Sequence, residues 1–547
     1  MVKNTKYDSF SREQLIDKIL KLEKERYGLV WEDKEENVAK RCEAELPLLE
    51  EDCSREIVCD PSLPYNIIIE GDNYHSLYAL SFTHKKSIDV IYIDPPYNTG
   101  NKDFTYNDSY VDKTDQFRHS KWLSFMNKRL LLSKNLLSKK GLIFISIDDT
   151  EFAQLKLLCD SIFSEKNFIA DVIWNSRKSV SNDTIISLNH NHTLVYARDV
   201  DIIQQNKNNY RLRGSKDKFS NPDNDPRGDW TADPFDAPEI RSNLTYYIEN
   251  PNTGKRYLPP KGRHWRTTEE EYLKYLEDGR IVFGKTGKAK PQLKRFYYEA
   301  VEKGVVAKSI WDDVGTTTNG TQELEKILGD KKFNNPKPVS LILKILELAS
   351  NKNSTVLDFF AGSGTTGQAI LEMNKRDGGH RKFILCTNNE NNICTEVTYP
   401  RIEKVIKGYS CIQGIPANLK YYTQTFVPVI SSDNDKRELV NRSTEILCVA
   451  EDCFEEVRRR NKETFDFSIF KSEDKQMAII YDEDCIGDCV DYLNNNIVKQ
   501  KTVIYVFSYD HTYDAEDFVD LNIDFSVKPI PEAIINVYRK ISKMKKK

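Results

Sequence analysis

The stretch Ile88-Asp-Val-Ile-Tyr-Ile-Asp-Pro-Pro-Tyr97 decides the fold, because it joins a short, mostly apolar run to a rigid polar turn. An apolar run of this length bounded by a turn signal is typical of a buried strand. The two prolines fix φ and remove two backbone donors, so the strand ends where they begin. Since α/β sheets bind ligands at the carboxyl ends of their strands, we expect Asp94 to Tyr97 to lie at a ligand site.

Strand and helix patterns alternate on both sides of this stretch. Strands are predicted at 66–70, 88–93 and 141–147, and helices at 74–82, 121–138 and 150–163. The alternation returns after Lys337, with helices at 339–349 and 366–373 and strands at 355–360 and 382–387. This pattern predicts an α/β fold with a mostly parallel sheet covered by helices on both faces.

A second motif, Val356-Leu-Asp-Phe-Phe-Ala-Gly-Ser-Gly-Thr-Thr-Gly367, places a glycine-rich turn between a strand and a helix. Gly362, Gly364 and Gly367 have the G-x-G-x-x-G spacing, and Glu390 follows at the end of the next predicted strand. Glycines let a ligand approach the backbone, and an acidic side chain can bind ribose hydroxyls. The spacing alone fits NAD, FAD, S-adenosylmethionine or a turn without a ligand.

The residue types of the Asp94–Tyr97 turn suit methylation of a conjugated amine. The amino nitrogen of adenine is a poor nucleophile because its lone pair is shared with the ring. Hydrogen bonds from that amine to the Asp94 carboxylate and the Pro95 carbonyl would favour a tetrahedral nitrogen able to attack a sulfonium methyl. Tyr97 offers a ring on which an extruded base can stack. Positioning and electrostatics would then supply most of the rate. A rigid structural turn is the alternative.

Tyr92-Ile-Asp-Pro-Pro-Tyr-Asn-Thr-Gly-Asn-Lys-Asp-Phe104 resembles the modification subunit of type III restriction–modification systems, a family of β-class adenine-N6 DNA methyltransferases. The resemblance covers roughly residues 60–430. Its further motifs follow in order: Ile69–Asn73, Gly141–Asp148, Pro259–Arg266, Phe333–Pro338, the glycine loop, Asn389–Glu390 and Thr398–Arg401. It implies a circularly permuted, Rossmann-like methyltransferase domain, in which the catalytic turn precedes the cofactor loop.

The expected organisation has five parts. They are an N-terminal helical extension (1–60), a catalytic half (61–200), an inserted target-recognition domain (201–332), a cofactor-binding half (333–415) and a small C-terminal α/β domain (416–547) for dimerisation or partner docking. The insert holds a local basic excess, with 14 Lys and Arg against 7 Asp and Glu between Lys255 and Lys308. A basic, aromatic-bearing segment suits contacts to phosphates and bases.

The resemblance also implies residue roles, carried over position by position. The catalytic residues are Asp94, Pro95, Pro96 and Tyr97. Cofactor contacts come from Asp358, Phe360, Gly362, Gly364 and Thr365, with Glu390 at the ribose, Asp72 near the adenine, and Lys337 and Pro338 lining the pocket. The DNA-binding residues are Arg263, His264, Trp265 and Arg266. The stretch Asn98 to Tyr110 is expected to be a mobile loop that closes over the flipped base or the DNA backbone, and an ordinary surface loop is the alternative.

The predicted function is site-specific transfer of a methyl group from S-adenosyl-L-methionine to adenine N6 of a flipped-out base in duplex DNA. Cytosine-N4 is the nearest alternative, although such enzymes more often carry Ser in place of Asp94. An RNA or protein amino-methyltransferase, a nicotinamide-dependent dehydrogenase and a non-catalytic DNA-binding protein are further alternatives. Expected partners are double-stranded DNA, a second copy in a homodimer and a restriction subunit, because the sequence shows no nuclease or helicase motif.

Composition narrows the class of protein. Hydrophobic residues make up 39% and charged residues 30% of the chain, as in soluble globular proteins. No apolar run reaches the ~18 residues of a spanning helix, and the N-terminus lacks the apolar centre of a signal peptide, so a cytoplasmic location is expected. The 11 cysteines lack paired spacing, and the histidines do not gather near them, so free thiols and no metal site are predicted.

Overall fold

The computed structural model describes residues 10–24, 29–101, 103–214, 216–461, 466–496, 500–510 and 512–545. They form two compact units, one from residues 1–205 and 308–547 and one from residues 206–307. Within the expected N-terminal helical extension, helix α1 spans Arg12–Lys24, and residues 25–28 lie outside the described part of the chain.

The first unit begins with the strands β1 (Glu45–Glu51), β2 (Tyr65–Glu70), β3 (Ile88–Ile93), β4 (Thr105–Tyr106), β5 (Ser109–Tyr110), β6 (Leu137–Ile147), β7 (Phe168–Trp174) and β8 (Asn191–Ala197). Its helices over the same stretch are α1 (Arg12–Lys24), α2 (Asn37–Arg41), α3 (Asn73–Thr83), α4 (Arg118–Leu136), α5 (Phe152–Phe163) and α6 (Val200–Gln205).

The second unit contains the strands β9 (Trp230–Pro234), β10 (Asp236–Pro238), β11 (Ile248–Glu249), β12 (Arg256–Tyr257), β13 (Arg263–Trp265), β14 (Ile281–Val282) and β15 (Gln292–Phe296), and the helices α7 (Glu269–Glu277) and α8 (Tyr297–Lys303).

After residue 307 the chain returns to the first unit. Its strands there are β16 (Ile310–Trp311), β17 (Thr355–Asp358), β18 (Lys382–Thr387), β19 (Gly408–Tyr409), β20 (Ile412–Gln413), β21 (Asn418–Pro428), β22 (Glu455–Arg458), β23 (Phe467–Lys471), β24 (Lys475–Ile480), β25 (Lys501–Phe507) and β26 (Phe525–Ile530). Its helices are α9 (Thr317–Leu328), α10 (Val339–Ala349), α11 (Thr365–Asp377), α12 (Tyr399–Lys407), α13 (Asp433–Asn441), α14 (Thr444–Glu451), α15 (Ile486–Asn495) and α16 (Glu532–Lys545).

Among the described residues, ten strands form one mixed sheet in the order β1-β21-β2-β18-β17-β3-β6-β8-β7-β16. The strands from β21 to β6 are all parallel to their neighbours. Their apolar runs are buried on both faces, as in β3, where the neighbouring residues Val90 and Ile91 are fully buried. The sheet confirms the predicted α/β fold. It also places β17, which leads into the glycine loop, directly beside β3, which leads into the catalytic turn.

Two expected domain boundaries differ from the structure. Strand β1 lies within the predicted N-terminal extension and β21 lies beyond residue 415, yet both are strands of the main sheet. Their partners are distant in sequence, so no local pattern marks them. The last five strands form a separate sheet in the order β22-β23-β24-β25-β26. Helix α16 packs the C-terminal region onto the main core, where the Tyr538 hydroxyl donates to the Pro47 carbonyl at 2.8 Å.

The unit of residues 206–307 is smaller than the expected insert of 201–332. Residues 308–332 belong to the first unit, since β16 extends the main sheet beside β7. The unit itself holds a three-stranded sheet, β14-β15-β9, and short hairpins. It has its own core of Phe235, Ile248, Trp265, Tyr272, Ile281 and Phe283.

Within the described ranges, none of the helices combines the length and the apolar character that crossing a bilayer requires.

Candidate active site

Four acidic residues lie at the carboxyl ends of four neighbouring parallel strands. Asp72 follows β2, Glu390 follows β18, Asp358 ends β17 and Asp94 follows β3, and these strands are adjacent in the order β2-β18-β17-β3. Because neighbouring strands lie ~4.8 Å apart, the row spans roughly 14 Å. The structure thus brings the predicted catalytic turn and the predicted cofactor residues to one sheet edge, along a line that suits an elongated ligand.

The glycine loop takes a conformation that only some residues can adopt. Gly362 and Gly364 have φ values of +48° and +77°, in the left-handed region that favours glycine. Gly364 begins helix α11, whose first free backbone N–H groups therefore face the loop. Asp358 organises the turn from inside, because its Oδ1 accepts from the Phe360 N–H at 3.0 Å and its Oδ2 from the Thr366 hydroxyl at 2.6 Å.

Arg401 supports the same loop from beneath. It is fully buried, and Nη1 donates to the Ser363 carbonyl at 3.2 Å and to the Thr365 hydroxyl at 2.8 Å. Burial lowers the pKa of this guanidinium to about 10. The sequence pattern marks Arg401 only as part of a family motif and assigns it no role; its position under the loop is apparent only in the structure.

Asp358 is a buried acid next to a second acid. Burial, together with the nearby negative charge of Asp94, raises the pKa of its carboxyl to about 7. A bound cation stabilises the ionised forms of two neighbouring acids. S-adenosylmethionine carries an ammonium and a sulfonium charge, so the acids and the glycine cradle fit this cofactor in shape and in charge.

Both carboxylate oxygens of Asp94 accept a hydrogen bond. The Tyr97 hydroxyl donates to Oδ1 at 2.8 Å, and the Lys337 ammonium donates to Oδ2. The Asn191 amide donates to the Tyr97 hydroxyl at 3.1 Å, so the tyrosine ring is held at its outer end. The Trp122 indole donates to the Pro96 carbonyl at 2.7 Å. The turn is therefore held rigid by these contacts as well as by its prolines. Asn191 and Trp122 position the turn, and the sequence pattern did not predict either residue.

Lys337 connects the two halves of the site. The sequence predicts it in the cofactor pocket, and the structure places its ammonium on Asp94, 5.3 Å from the centroid of the Tyr97 ring. Its own carbonyl accepts from the Thr365 hydroxyl of the glycine loop at 3.2 Å. Pro338 is buried and serves as the N-cap of α10, which orients Lys337 from behind.

The residues after the turn are anchored. Asn98 is buried at a φ of +60°, and its amide donates to Glu151 at 2.6 Å, an oxygen that also lies 2.7 Å from Nδ1 of His119. Burial raises the pKa of the Glu151 carboxyl. Phe104 and Tyr106 are also buried. The described part of the predicted mobile loop is thus tied to the core at Asn98, Phe104 and Tyr106, whereas Tyr110 is exposed.

Asp72 and Phe360 complete the cofactor side. Asp72 caps α3 by accepting from the Tyr74 N–H at 2.7 Å, and the fully buried Arg129 lies 3.4 Å from its carboxylate. The Phe360 ring lies 5.8 Å from that of Phe125. Glu390, by contrast, is exposed in a short turn just beyond β18, so its carboxylate is open to solvent.

The predicted DNA contacts in the second unit need correction. Trp265 is fully buried in the core of that unit, and its indole donates to the Tyr246 carbonyl at 2.8 Å. His264 is also buried, with Nδ1 2.9 Å from the Glu239 carbonyl. Neither side chain is available to a duplex, because both are buried within the unit. Arg263 pairs with Asp236 and Arg266 lies 3.7 Å from Asp233, and their side chains are 36% and 38% exposed.

A cleft of about 1390 Å³ lies elsewhere in the first unit. Its lining includes Tyr65, Lys382 and Lys420, which stand at or near the amino-terminal starts of β2, β18 and β21. It therefore opens at the sheet edge opposite the catalytic turn. Because α/β sheets bind their ligands at the carboxyl ends, volume alone does not make this cleft the active site.

Known proteins resemble this chain over the region that holds the site. The DNA methylase family profile matches residues 88–399. The Mod subunit of the type III restriction-modification enzyme StyLTI of Salmonella typhimurium is 36% identical over 372 residues, which cover 62% of this chain and 56% of that protein.

Two further relatives match over larger shares of their own length. The type II methyltransferase M.KpnI of Klebsiella pneumoniae is 33% identical over 60% of this chain and 82% of its own. The EcoPI Mod subunit of Escherichia phage P1 is 30% identical over 74% of this chain and 72% of its own. The chain spans little more than half the length of the Salmonella subunit and most of the length of these two.

Proposed function

The chain belongs to the DNA methylase family, and we propose that it is a site-specific DNA methyltransferase that transfers a methyl group from S-adenosyl-L-methionine to adenine N6. The observation that carries this proposal is the adjacency of β3 and β17, which sets the amine-binding turn at Asp94 beside the glycine loop that begins at Asp358. A donor and an acceptor bound at these two strand ends lie next to each other.

Each residue of the site has a separate role in the proposed methyl transfer. Asp94 accepts a hydrogen bond from the adenine amine and keeps the nitrogen lone pair directed away from the ring. Tyr97, fixed through Asn191, supplies the face on which the extruded base stacks. Lys337 holds Asp94 in place until the base arrives. S-adenosylmethionine supplies an electrophilic methyl group, and Asp358 and the glycine loop orient it.

The names of the relatives support a proposal about the system in which this chain acts. Two of them are Mod subunits of type III restriction-modification enzymes. We propose that this chain acts on double-stranded DNA as such a subunit in the cytoplasm, that it forms a homodimer and that a separate restriction subunit supplies cleavage. The basic segment from Lys255 to Lys308, with Arg263 and Arg266, is the proposed DNA-binding part of a target-recognition unit.

One transfer experiment tests the proposal. Purified protein is incubated with tritium-labelled S-adenosylmethionine and, in separate reactions, duplex DNA, RNA and a protein mixture. Label in DNA, recovered as N6-methyladenine after digestion to nucleosides, is the expected result. Label recovered as N4-methylcytosine would redirect the base assignment. Label in RNA or protein alone would overturn the DNA proposal.

A further inference from the structure

Across the residues that the structure describes, one set of metal-ligating side chains converges: Asp149, His190 and His192, whose ligand atoms lie within 4.8 Å of one another. Asp149 follows the carboxyl end of β6, and the histidines stand at the start of β8. These strands are antiparallel neighbours, with Ile147 opposite His192, so both deliver their residues to the same sheet edge. The set is distant in sequence, and no spacing pattern reveals it.

Both ring nitrogens of His192 face a carboxylate oxygen. Its Nδ1 lies 2.9 Å from Oδ2 of Asp171 and its Nε2 lies 3.3 Å from Oδ1 of Asp149. A neutral imidazole carries one N–H, which can satisfy only one of two carboxylates. If Nδ1–H donates to Asp171, the Nε2 lone pair points at an anionic oxygen. A carboxylate that orients a histidine in this way is the usual companion of a metal-bound imidazole.

The distances between the ligand atoms fit a metal site. Nε2 of His190 also faces Oδ1 of Asp149, at 3.7 Å, so three ligand atoms converge. Two ligands bound at 2.0–2.1 Å in a tetrahedral site lie roughly 3.4 Å from each other. The separations of 3.3 and 3.7 Å from the Asp149 oxygen lie close to that value.

We propose that Asp149, His190 and His192 bind a divalent transition-metal ion with the ligand preferences of Zn²⁺. Two imidazoles and one carboxylate suit such an ion and not Mg²⁺, which prefers oxygen ligands. Side chains of Asp149 and His190 are 47% and 32% exposed, so a fourth position faces solvent. The ion clamps the start of β8 to the end of β6, next to Asn191, and thereby steadies the amide that holds Tyr97.

Metal titration tests this site without using methyl transfer. The chelator-stripped full chain is titrated with Co²⁺, followed by visible absorption, and with Zn²⁺, followed by calorimetry. The expected result is one bound ion, displacement of Co²⁺ by Zn²⁺ and no competition from Mg²⁺. Asp149→Asn and His190→Gln should each weaken binding at least tenfold. His380→Gln, which alters an exposed histidine elsewhere, should leave binding unchanged.

Two outcomes would overturn the proposal: no stoichiometric uptake of either ion, or uptake that persists in both variants. Folding of each variant is checked by its thermal midpoint in chelator, where a metal ligand adds no stability. If Asp149→Asn shifts that midpoint, His190→Gln decides the question. Because the readout is binding and not activity, failure here leaves the methyltransferase proposal intact, and the reverse also holds.

Discussion

Lys337 donates a hydrogen bond from its ammonium to Oδ2 of Asp94, a residue 243 positions earlier in the chain. The pair joins the half of the domain that carries the glycine loop to the half that carries the catalytic turn. Its lysine is 10% exposed, so the pair is shielded from solvent and more strongly coupled than a surface ion pair. The carboxylate proposed to accept the adenine amine is therefore held from the cofactor side.

Replacing Lys337 with Met should lower kcat for methyl transfer about a hundredfold, because Asp94 loses its charged partner and its fixed orientation. The affinity for S-adenosylmethionine should change much less. Transfer of labelled methyl groups to duplex DNA and calorimetry with the cofactor measure the two effects. Lys344→Met is the matched control, since this lysine lies on the helix that follows Lys337 and pairs with the exposed Asp313. Equal losses in both variants would contradict the assigned role.

Asp94→Ala should abolish methylation, with a loss in kcat of more than about a thousandfold, while cofactor binding is retained. The reason is that Asp94 contacts the amine, whereas the glycine loop is held by Asp358 and Arg401. Activity is measured by methyl transfer and cofactor binding by calorimetry. Asp313→Ala, which removes an exposed carboxylate, serves as the control. Substantial activity in Asp94→Ala would refute the catalytic assignment.

Asp358 predicts a pH dependence of cofactor binding. Burial raises the pKa of its carboxyl to about 7, so the group is mostly protonated below that pH in the free protein. A cationic ligand favours the ionised form, so binding releases a proton. Affinity for S-adenosylmethionine should therefore rise between pH 5.5 and 7 and level off above about pH 7.

Calorimetry in buffers of different ionisation enthalpy measures this proton release directly. Asp358→Asn should bind more weakly and show a flatter profile, because the titrating group is gone. The raised pKa of Asp358 also affects the folding stability of the free protein, and here the effect of rising pH is unfavourable. A carboxyl whose pKa is raised on folding binds more protons when folded, so its contribution to stability falls as pH rises from about 4 to about 7. An affinity that declines with rising pH would rule out the assignment.

The features of this site that could be predicted from the sequence are those determined by residues close together in the chain. Strand β3 and helix α10 have the bounds that their apolar patterns predict, because turn signals close each run. The strand–turn motifs at Asp94 and Asp358 are equally local, and parallel strands necessarily place both at one edge. Their direct adjacency, with β17 beside β3, depends on strand order, which only the family resemblance indicates.

Features that depend on distant partners were not predictable. Asn191 and Arg401 act through contacts whose other member is far along the chain. Trp265 was wrongly predicted as a DNA contact because an aromatic residue between basic ones has the same pattern in a binding segment and in a small core. Strand β21 was assigned to the wrong domain for a related reason, since its place beside β2 is set by packing and not by its own residues.

Asn191 and Tyr97 should act as one unit in a double-mutant cycle. Tyr97→Phe removes the hydroxyl that bridges Asn191 and Asp94, and should lower kcat about tenfold, the usual worth of a buried hydrogen bond. Asn191→Ala should lower kcat by a similar factor, and the double variant should be no worse than Tyr97→Phe. Ser176→Ala is the control, since Ser176 is the other partner of Asn191. Additive losses would show that Asn191 acts by another route.

Trp265 and Arg266 should separate packing from DNA contact in the smaller unit. Trp265→Ala should destabilise that unit by about 3–5 kcal/mol, because the indole fills its core and bonds the Tyr246 carbonyl. Arg266→Ala should leave unfolding almost unchanged, since the side chain is 38% exposed and its ion pair with Asp233 is long, at 3.7 Å. Thermal unfolding and fluorescence anisotropy with labelled duplex DNA measure the two properties.

Trp265→Phe, which retains most of the packing, should bind DNA as the unaltered protein does. Weaker binding by Trp265→Phe with no change in unfolding would instead restore Trp265 as a direct contact, because only a lost interaction with the duplex lowers affinity without lowering stability.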